Sequence, residues 1–309
     1  TSAISAYYLL FSSYPHRKSH ELNGTQEPYV LLNGRLRNHW LTLGPTKLVM
    51  ACFDYWRIIL FELIGTAIFA YGICCSQNQP PPYPVPHDFN FIPNPAHSAF
   101  VSLSLFLAIC WCGQLTGGHC NPAVTTVFIM KKDSAISLKV GLVYMVTQVV
   151  GAFLGASLVS IVNYSAWVLI DNITAPIVQG ISVGQMFQEF GGEIFGTFVF
   201  TFFILIVTCK ETTFVDDTLW VYASIVTALY IQERISNTLR RFSFRTEGLN
   251  PALAIGMEVF YAIYHGDWII FADSWVLIIG PFIGAIIASI IFEQFYRPLM
   301  VAFKAKQAT

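Results

Sequence analysis

Charge is scarce in this sequence. Asp, Glu, Lys and Arg together make up 11% of its 309 residues, against about 25% in ordinary soluble proteins, so a water-soluble domain is not expected. Neither sign is in excess: 17 Lys and Arg face 18 Asp and Glu. Without a basic surplus nothing holds a phosphate backbone, which excludes nucleic acid as a partner. The seven cysteines never form Cys-x-x-Cys and never stand at a metal-ligand spacing from histidine. Cys52, Cys74, Cys75, Cys110, Cys112, Cys120 and Cys209 lie in or beside apolar runs and read as small buried hydrophobes, not as disulfides or zinc ligands. Nucleophile triads, phosphate-binding glycine loops and metal clusters are also missing, so neither an enzyme nor a cofactor is expected.

What the sequence has is apolar length: 55% of residues are hydrophobic and 26 are Phe, a composition that uses lipid as solvent. Six stretches are long and apolar enough to cross about 30 Å of hydrocarbon. They run from Ile58 to Ser76, Ser98 to Leu115, Leu138 to Asn163, Phe187 to Thr208, Thr218 to Gln232 and Trp275 to Phe295. The fifth is the shortest.

The chain also repeats itself. Glu62-Leu-Ile-Gly-Thr66 matches Glu193-Ile-Phe-Gly-Thr197 at an offset of 131. Asn121-Pro122-Ala123 matches Asn250-Pro251-Ala252, and Gly151-Ala-Phe-Leu-Gly155-Ala156 matches Gly280-Pro-Phe-Ile-Gly284-Ala285, both at 129. Three landmarks in one order at nearly one spacing indicate a duplication. Each half holds three spans, so the second copy enters the membrane from the opposite side, as in inverted repeats that enclose a midplane transport site.

Basic residues give the orientation. Six precede the first span or sit at its start, three follow the first Asn-Pro-Ala, one lies between spans four and five, and three are C-terminal, 13 in all on one side. The segments 77–97 and 164–184 carry none, so both termini are expected on the cytosolic or equivalent face. Arg234, Arg240, Arg241 and Arg245 break the pattern. They read either as a site for anionic lipid or an acidic partner, or as a solvated loop face.

Asn is a strong helix N-cap and Pro is favoured at the first helical position, so both Asn-Pro-Ala triplets read as helix starts. From Asn121 to Met130 there are ten residues before Lys131 and Lys132, about 15 Å of helix and half of the hydrocarbon thickness. Each triplet therefore opens a half-helix that dips to the middle. In an inverted repeat two such N-termini meet, each with about half a positive charge that repels cations and protons. The amides of Asn121 and Asn250 would then donate to one small polar molecule between them.

The chain resembles the aquaporin (major intrinsic protein) family across about residues 55–297. The resemblance rests on Gln114-Leu-Thr-Gly-Gly-His-Cys-Asn-Pro-Ala-Val-Thr125, the two Glu-x-x-Gly-Thr runs, Gln148, and the stretch from Trp275 to Pro298. It implies an all-α integral membrane fold, six transmembrane helices plus two re-entrant half-helices, with one pore per chain in a homotetramer. The organisation expected is an N-terminal extension over 1–54, a channel domain over 55–297 with repeats 55–165 and 185–297, and a tail over 298–309. Glu62 and Glu193 lie within apolar spans, where a carboxylate must face the bundle interior. Of two readings, a proton or ion relay and a structural acceptor for the N–H groups before each half-helix, the family favours the second. His119 likewise reads as packing support before gating.

The family pattern fails at the outer filter. Where the family places Arg after the second Asn-Pro-Ala stands Leu253, and Ala254 occupies the place of the Asp of glycerol-conducting members. Carried over by position, the remaining filter residues are Val101, Glu247 and, allowing an insertion of roughly seven residues, Ile231; ungapped counting lands on Thr238. Two functions follow. One is a passive channel for water or a small neutral solute with a largely apolar outer filter. The other is a transport-inactive structural or assembly subunit that kept the fold.

The expected location is a multi-pass position in the plasma membrane or an organellar membrane. Residues 1–20 hold Ser, Arg17 and Lys18 but no Asp or Glu, a weak mitochondrial signal. Asn23, Asn163 and Asn172 begin glycosylation sequons, used only on a secretory route.

Overall fold

A computed structural model describes residues 45–76, 95–134, 136–162, 183–239, 248–266, 268, 271–272 and 274–307. The N-terminal extension before Pro45, the three sequons, Arg240, Arg241, Arg245 and Glu247 lie outside the described residues.

The described residues are helical and carry no strand. In chain order the helices are α1 (Pro45–Ser76), α2 (Pro95–Thr116), α3 (Pro122–Met130), α4 (Leu138–Val162), α5 (Val183–Thr208), α6 (Thr218–Leu239), α7 (Pro251–His265) and α8 (Trp275–Ile291). A single π-turn, Phe292–Tyr296, then leads into α9 (Arg297–Gln307). Five of these helical segments are long and apolar enough to span a membrane, the last running unbroken from Trp275 to Gln307. The remaining long helix, α6, has 22 residues, about 33 Å, and is the least apolar because Gln232, Glu233 and Arg234 lie near its end.

The six long helices stand where six spans are expected, with shifted ends. α1 begins ten residues before position 55, and α6 continues past Gln232 to Leu239. The tail expected from 298 is helical: Pro298, which cannot donate to a carbonyl four residues back, follows the π-turn, where the register has already slipped by one residue.

Packing follows the duplication. α1 packs on α2 and α4, and α5 packs in the same way on α6 and α8. The half-helices cross over: α3 lies against α8, and α7 against α4. The glycine pairs set these contacts. A Cβ at Gly155 would lie 2.3 Å from the Ala67 carbonyl oxygen, and one at Gly284 would lie 2.3 Å from that of Ile194. Gly151 and Gly280 are also closely packed, an added Cβ lying 2.6 Å from the Leu63 carbonyl oxygen and 2.7 Å from Glu193 Cβ. Small residues that let backbones touch are how helices associate in lipid, where apolar burial gives no advantage. Outward faces carry rows such as Leu142, Val146, Val150, Leu154 and Leu158 on α4, all exposed, as expected of a wall against hydrocarbon.

Candidate functional site

The two half-helices meet N-terminus to N-terminus. Asn121 and Asn250 are both extended, each with Pro next and a side-chain oxygen accepting from the Ala N–H two residues on, at 2.8 Å for Ala123 and 3.0 Å for Ala252. Each amide also reaches across the symmetry axis. Asn121 Nδ2 donates to the Leu249 carbonyl at 2.8 Å, and Asn250 Nδ2 donates to the Cys120 carbonyl at 2.9 Å. Cys120 and Leu249, which precede the two Asn residues, both sit in the left-handed region, with φ of 48° and 64°. A side chain there costs about 1–2 kcal/mol, which packing around these buried residues must offset.

The carboxylates of the repeat hold these approaches in place. Buried Glu62 accepts from the Cys120 N–H at 2.6 Å, the Thr116 hydroxyl at 2.6 Å and Gln148 Nε2 at 2.8 Å. Glu193, equally buried, accepts the Leu249 N–H at 2.6 Å. Two threonines that carry no motif signal of their own, Thr116 and Thr125, complete the network. The Thr116 hydroxyl also receives the Gly118 N–H, and Thr125 receives the second donation of Gln148. Their positions five before and four after Asn121 were the available signal. At the positions of the second repeat that match Thr125 and Gln148 stand Ala254 and Leu277, which cannot continue such a network. His119 Nδ1 lies 3.2 Å from the Thr125 hydroxyl, with its ring stacked on Phe128 and edge-on to Tyr144.

A cavity of about 70 Å³ runs past both Asn residues, room for roughly two waters at about 30 Å³ each. Its walls are mostly apolar, including Val101, Leu105, Phe200 and Ile204, and its polar lining includes His119, Tyr222 and the two Asn side chains. Asn121, Asn250, Val101 and Leu253 are brought together along it, while Pro122, Ala123, Pro251 and Ala252 are buried behind in the first turns of α3 and α7. Two helix N-termini of about half a charge each amount to about one positive charge at the midplane. At about 5 Å and an effective dielectric near 20 this repels a monovalent cation by about 3 kcal/mol, roughly a hundredfold in occupancy, and leaves a neutral molecule unopposed.

The expected filter residue Ile231 is not in this lining. It is 52% exposed on the outer face of α6, because the lumenal stripe of that helix is Tyr222, Ile225, Leu229 and Glu233, spaced by helical turns. Ile231 is two residues from Leu229 and so lies on the far side. The lining on α6 therefore includes a glutamate, 1% exposed, where the sequence led us to expect an apolar residue. Its level follows from α2. A Cβ at Gly113 would lie 2.4 Å from the Tyr222 hydroxyl, which sets the end of α2 beside the start of α6. Val101 is then about 18 Å and Glu233 about 17 Å along their helices from that contact, at the same end of the cavity. The side chain of Thr238 lies outside the described residues.

Two helix N-termini that meet beside a cavity, inside a bundle of membrane-spanning helices, are the architecture of a channel for small molecules. The major intrinsic protein family model matches residues 49–292, and the chain belongs to that family, whose members are channels and not enzymes. It is 30% identical over 202 residues to Aquaporin PIP2-7 of Musa acuminata, covering 64% of this chain and 66% of that relative. It is 27% identical over 252 residues to the probable aquaporin PIP2-8 of Arabidopsis thaliana, covering 79% and 83%. The X-ray structure of the aquaglyceroporin from Plasmodium falciparum superposes with a TM-score of 0.64 at 21% identity, covering 80% of this chain and 98% of that one.

Proposed function

We propose that this chain is a passive channel for water or a small neutral solute, with Asn121 and Asn250 orienting the permeant at the midplane. The supporting observation is the reciprocal pair of amide contacts. Each Asn uses its oxygen to cap its own helix and one N–H to tie the opposite approach, which leaves its second N–H for the lumen. A water held by two such donors accepts from both and cannot pass a proton along the file. Pro122, Ala123, Pro251 and Ala252 shape the meeting of the half-helices. Val101, Leu253 and, in place of Ile231, Leu229 form an apolar wall at one end, with Glu247 in the adjoining segment. Glu62, Glu193 and His119 support the approaches structurally. The exposed apolar rows suit lipid and the faces of a homotetramer.

The test is stopped-flow light scattering on purified protein in liposomes under water, glycerol and urea gradients. Water, or one of the solutes, should cross faster than in empty liposomes, with glycerol disfavoured because Ala254 replaces an Asp. Rates equal to empty liposomes for all three would overturn the proposal in favour of a transport-inactive assembly subunit.

A further inference from the structure

Two thiols lie side by side behind the approach to Asn121. Cys112, near the end of α2, and Cys120, just before Asn121, put their sulfurs 3.8 Å apart, and both residues are fully buried. The Glu62 carboxylate lies with them, one of its oxygens and the two sulfurs all falling within 4.8 Å of one another. Gly65 makes the room, since a Cβ there would lie 2.5 Å from the Cys112 sulfur and 3.3 Å from that of Cys120. The fold does not need sulfur at this place. At the matching position of the second repeat, Leu249 takes the same left-handed backbone and gives its N–H to Glu193 in the same way, without a thiol. Cys112 and Cys120 read as small hydrophobes in the sequence because their spacing fits no metal-ligand pattern; the turn after α2 brings them together.

Two zinc–thiolate bonds of about 2.3 Å at a tetrahedral angle place their sulfurs about 3.8 Å apart, which is the separation of this pair. A carboxylate is also a zinc ligand. Glu62 accepts three hydrogen bonds, which leaves about one of a carboxylate's roughly four lone-pair directions. The charge balances as well. Two Zn–S bonds form as the two S–H protons leave for solvent, no electron is transferred, and the site keeps only the negative charge of Glu62. A monovalent soft ion between the same two thiolates would add a negative charge to a low-dielectric interior, which is costly. Gly118, His119 and Asn121, on both sides of Cys120, line the cavity, so a single backbone segment separates the two sulfurs from the lumen.

We propose that Cys112, Cys120 and Glu62 form a binding site for a divalent ion of the zinc class, which fixes the approach to Asn121 from behind. The site stands whether or not the pore conducts water.

The experiment loads the purified full chain in detergent with zinc chloride, removes the excess by desalting and counts the metal retained. The wild type should hold about one ion per chain more than Cys112→Ser with Cys120→Ser, and X-ray absorption at the zinc edge should show two sulfurs at about 2.3 Å. Cys74→Ser with Cys75→Ser, which alters the neighbouring cysteines of α1, should retain the ion and its two sulfurs. If the Cys112 and Cys120 variant does not fold, the absorption spectra of the wild type and of the α1 variant decide: two sulfurs in both uphold the site, and a shell without them in either refutes it. No zinc retained by the wild type, or as much retained by the folded Cys112 and Cys120 variant, would overturn the inference while leaving the channel standing.

Discussion

Each motif asparagine serves its own helix and the opposite one with a single amide. The oxygen caps, and one N–H bonds the carbonyl that precedes the other Asn. Aspartate keeps the cap but has no donor and sets a carboxylate against a carbonyl, so Asn121→Asp with Asn250→Asp should abolish facilitated water flow in the liposome assay; unchanged permeability would refute the role given to the amides. Glu62 gathers three donors, and Glu62→Gln turns an NH₂ toward at least one of them. With charged hydrogen bonds contributing about 1.5–3 kcal/mol each, the loss should be about 3 kcal/mol, read as a lower melting temperature in detergent. The caps were legible because Asn and Pro have strong positional meaning at helix starts. The left-handed Cys120 and Leu249 were not, because neither residue type favours positive φ and only the surrounding packing imposes it.

Among the elements, the crossing of α1 with α4 and of α5 with α8 depends on four glycines. Gly155→Val and Gly284→Val drive a side chain into a carbonyl that an added Cβ would already meet at 2.3 Å, and overpacking of this kind costs about 1–3 kcal/mol or more. Both variants should melt earlier or fail to assemble. Gly191, within α5 but with nothing within 4 Å, is the control: Gly191→Ala should be neutral or more stable by about 0.5–1 kcal/mol from helix propensity. These glycines were visible in the sequence as part of the repeat, and so were the six spans, because hydrophobic length needs no tertiary context. The register of α6 was not. Its lumenal stripe mixes Tyr222, Ile225, Leu229 and Glu233, with no periodicity to separate it from the lipid face. Counting back from Asn250 through the arginine-rich segment therefore chose Ile231 over its neighbours.

At the scale of the whole molecule, one arginine ties distant segments together at the end of α8. Arg297 bonds Asp133 after α3 at 3.1 Å, Glu211 after α5 at 2.9 Å and Glu293 of the π-turn at 3.2 Å. The Cys209 thiol and Arg297 hold the Glu211 carboxyl down to about 2 from 4.5. At Asp133 burial works the other way, but Lys131 and Arg297 prevail and hold it below its ordinary value. A depressed folded pKa adds stability that is full above the ordinary carboxyl value and is lost as pH falls through the folded one. The melting temperature should therefore drop between about pH 4.5 and about pH 2. Arg297→Gln should start lower and lose less over that interval; an equal slope would show that the cluster does not carry the effect. Sequence alone placed these charges on one face by the basic-residue count, but pairing between segments more than 80 residues apart has no local signature.

The paired half-helices should pass a neutral molecule and stop charge. Osmotic water permeability and proton flux, recorded together on proteoliposomes carrying an internal pH dye, test this directly. Water flow should run well above that of empty liposomes with proton flux equal to theirs; water flow at the empty level, or proton flux rising with it, would contradict a midplane that passes neutral molecules and stops charge.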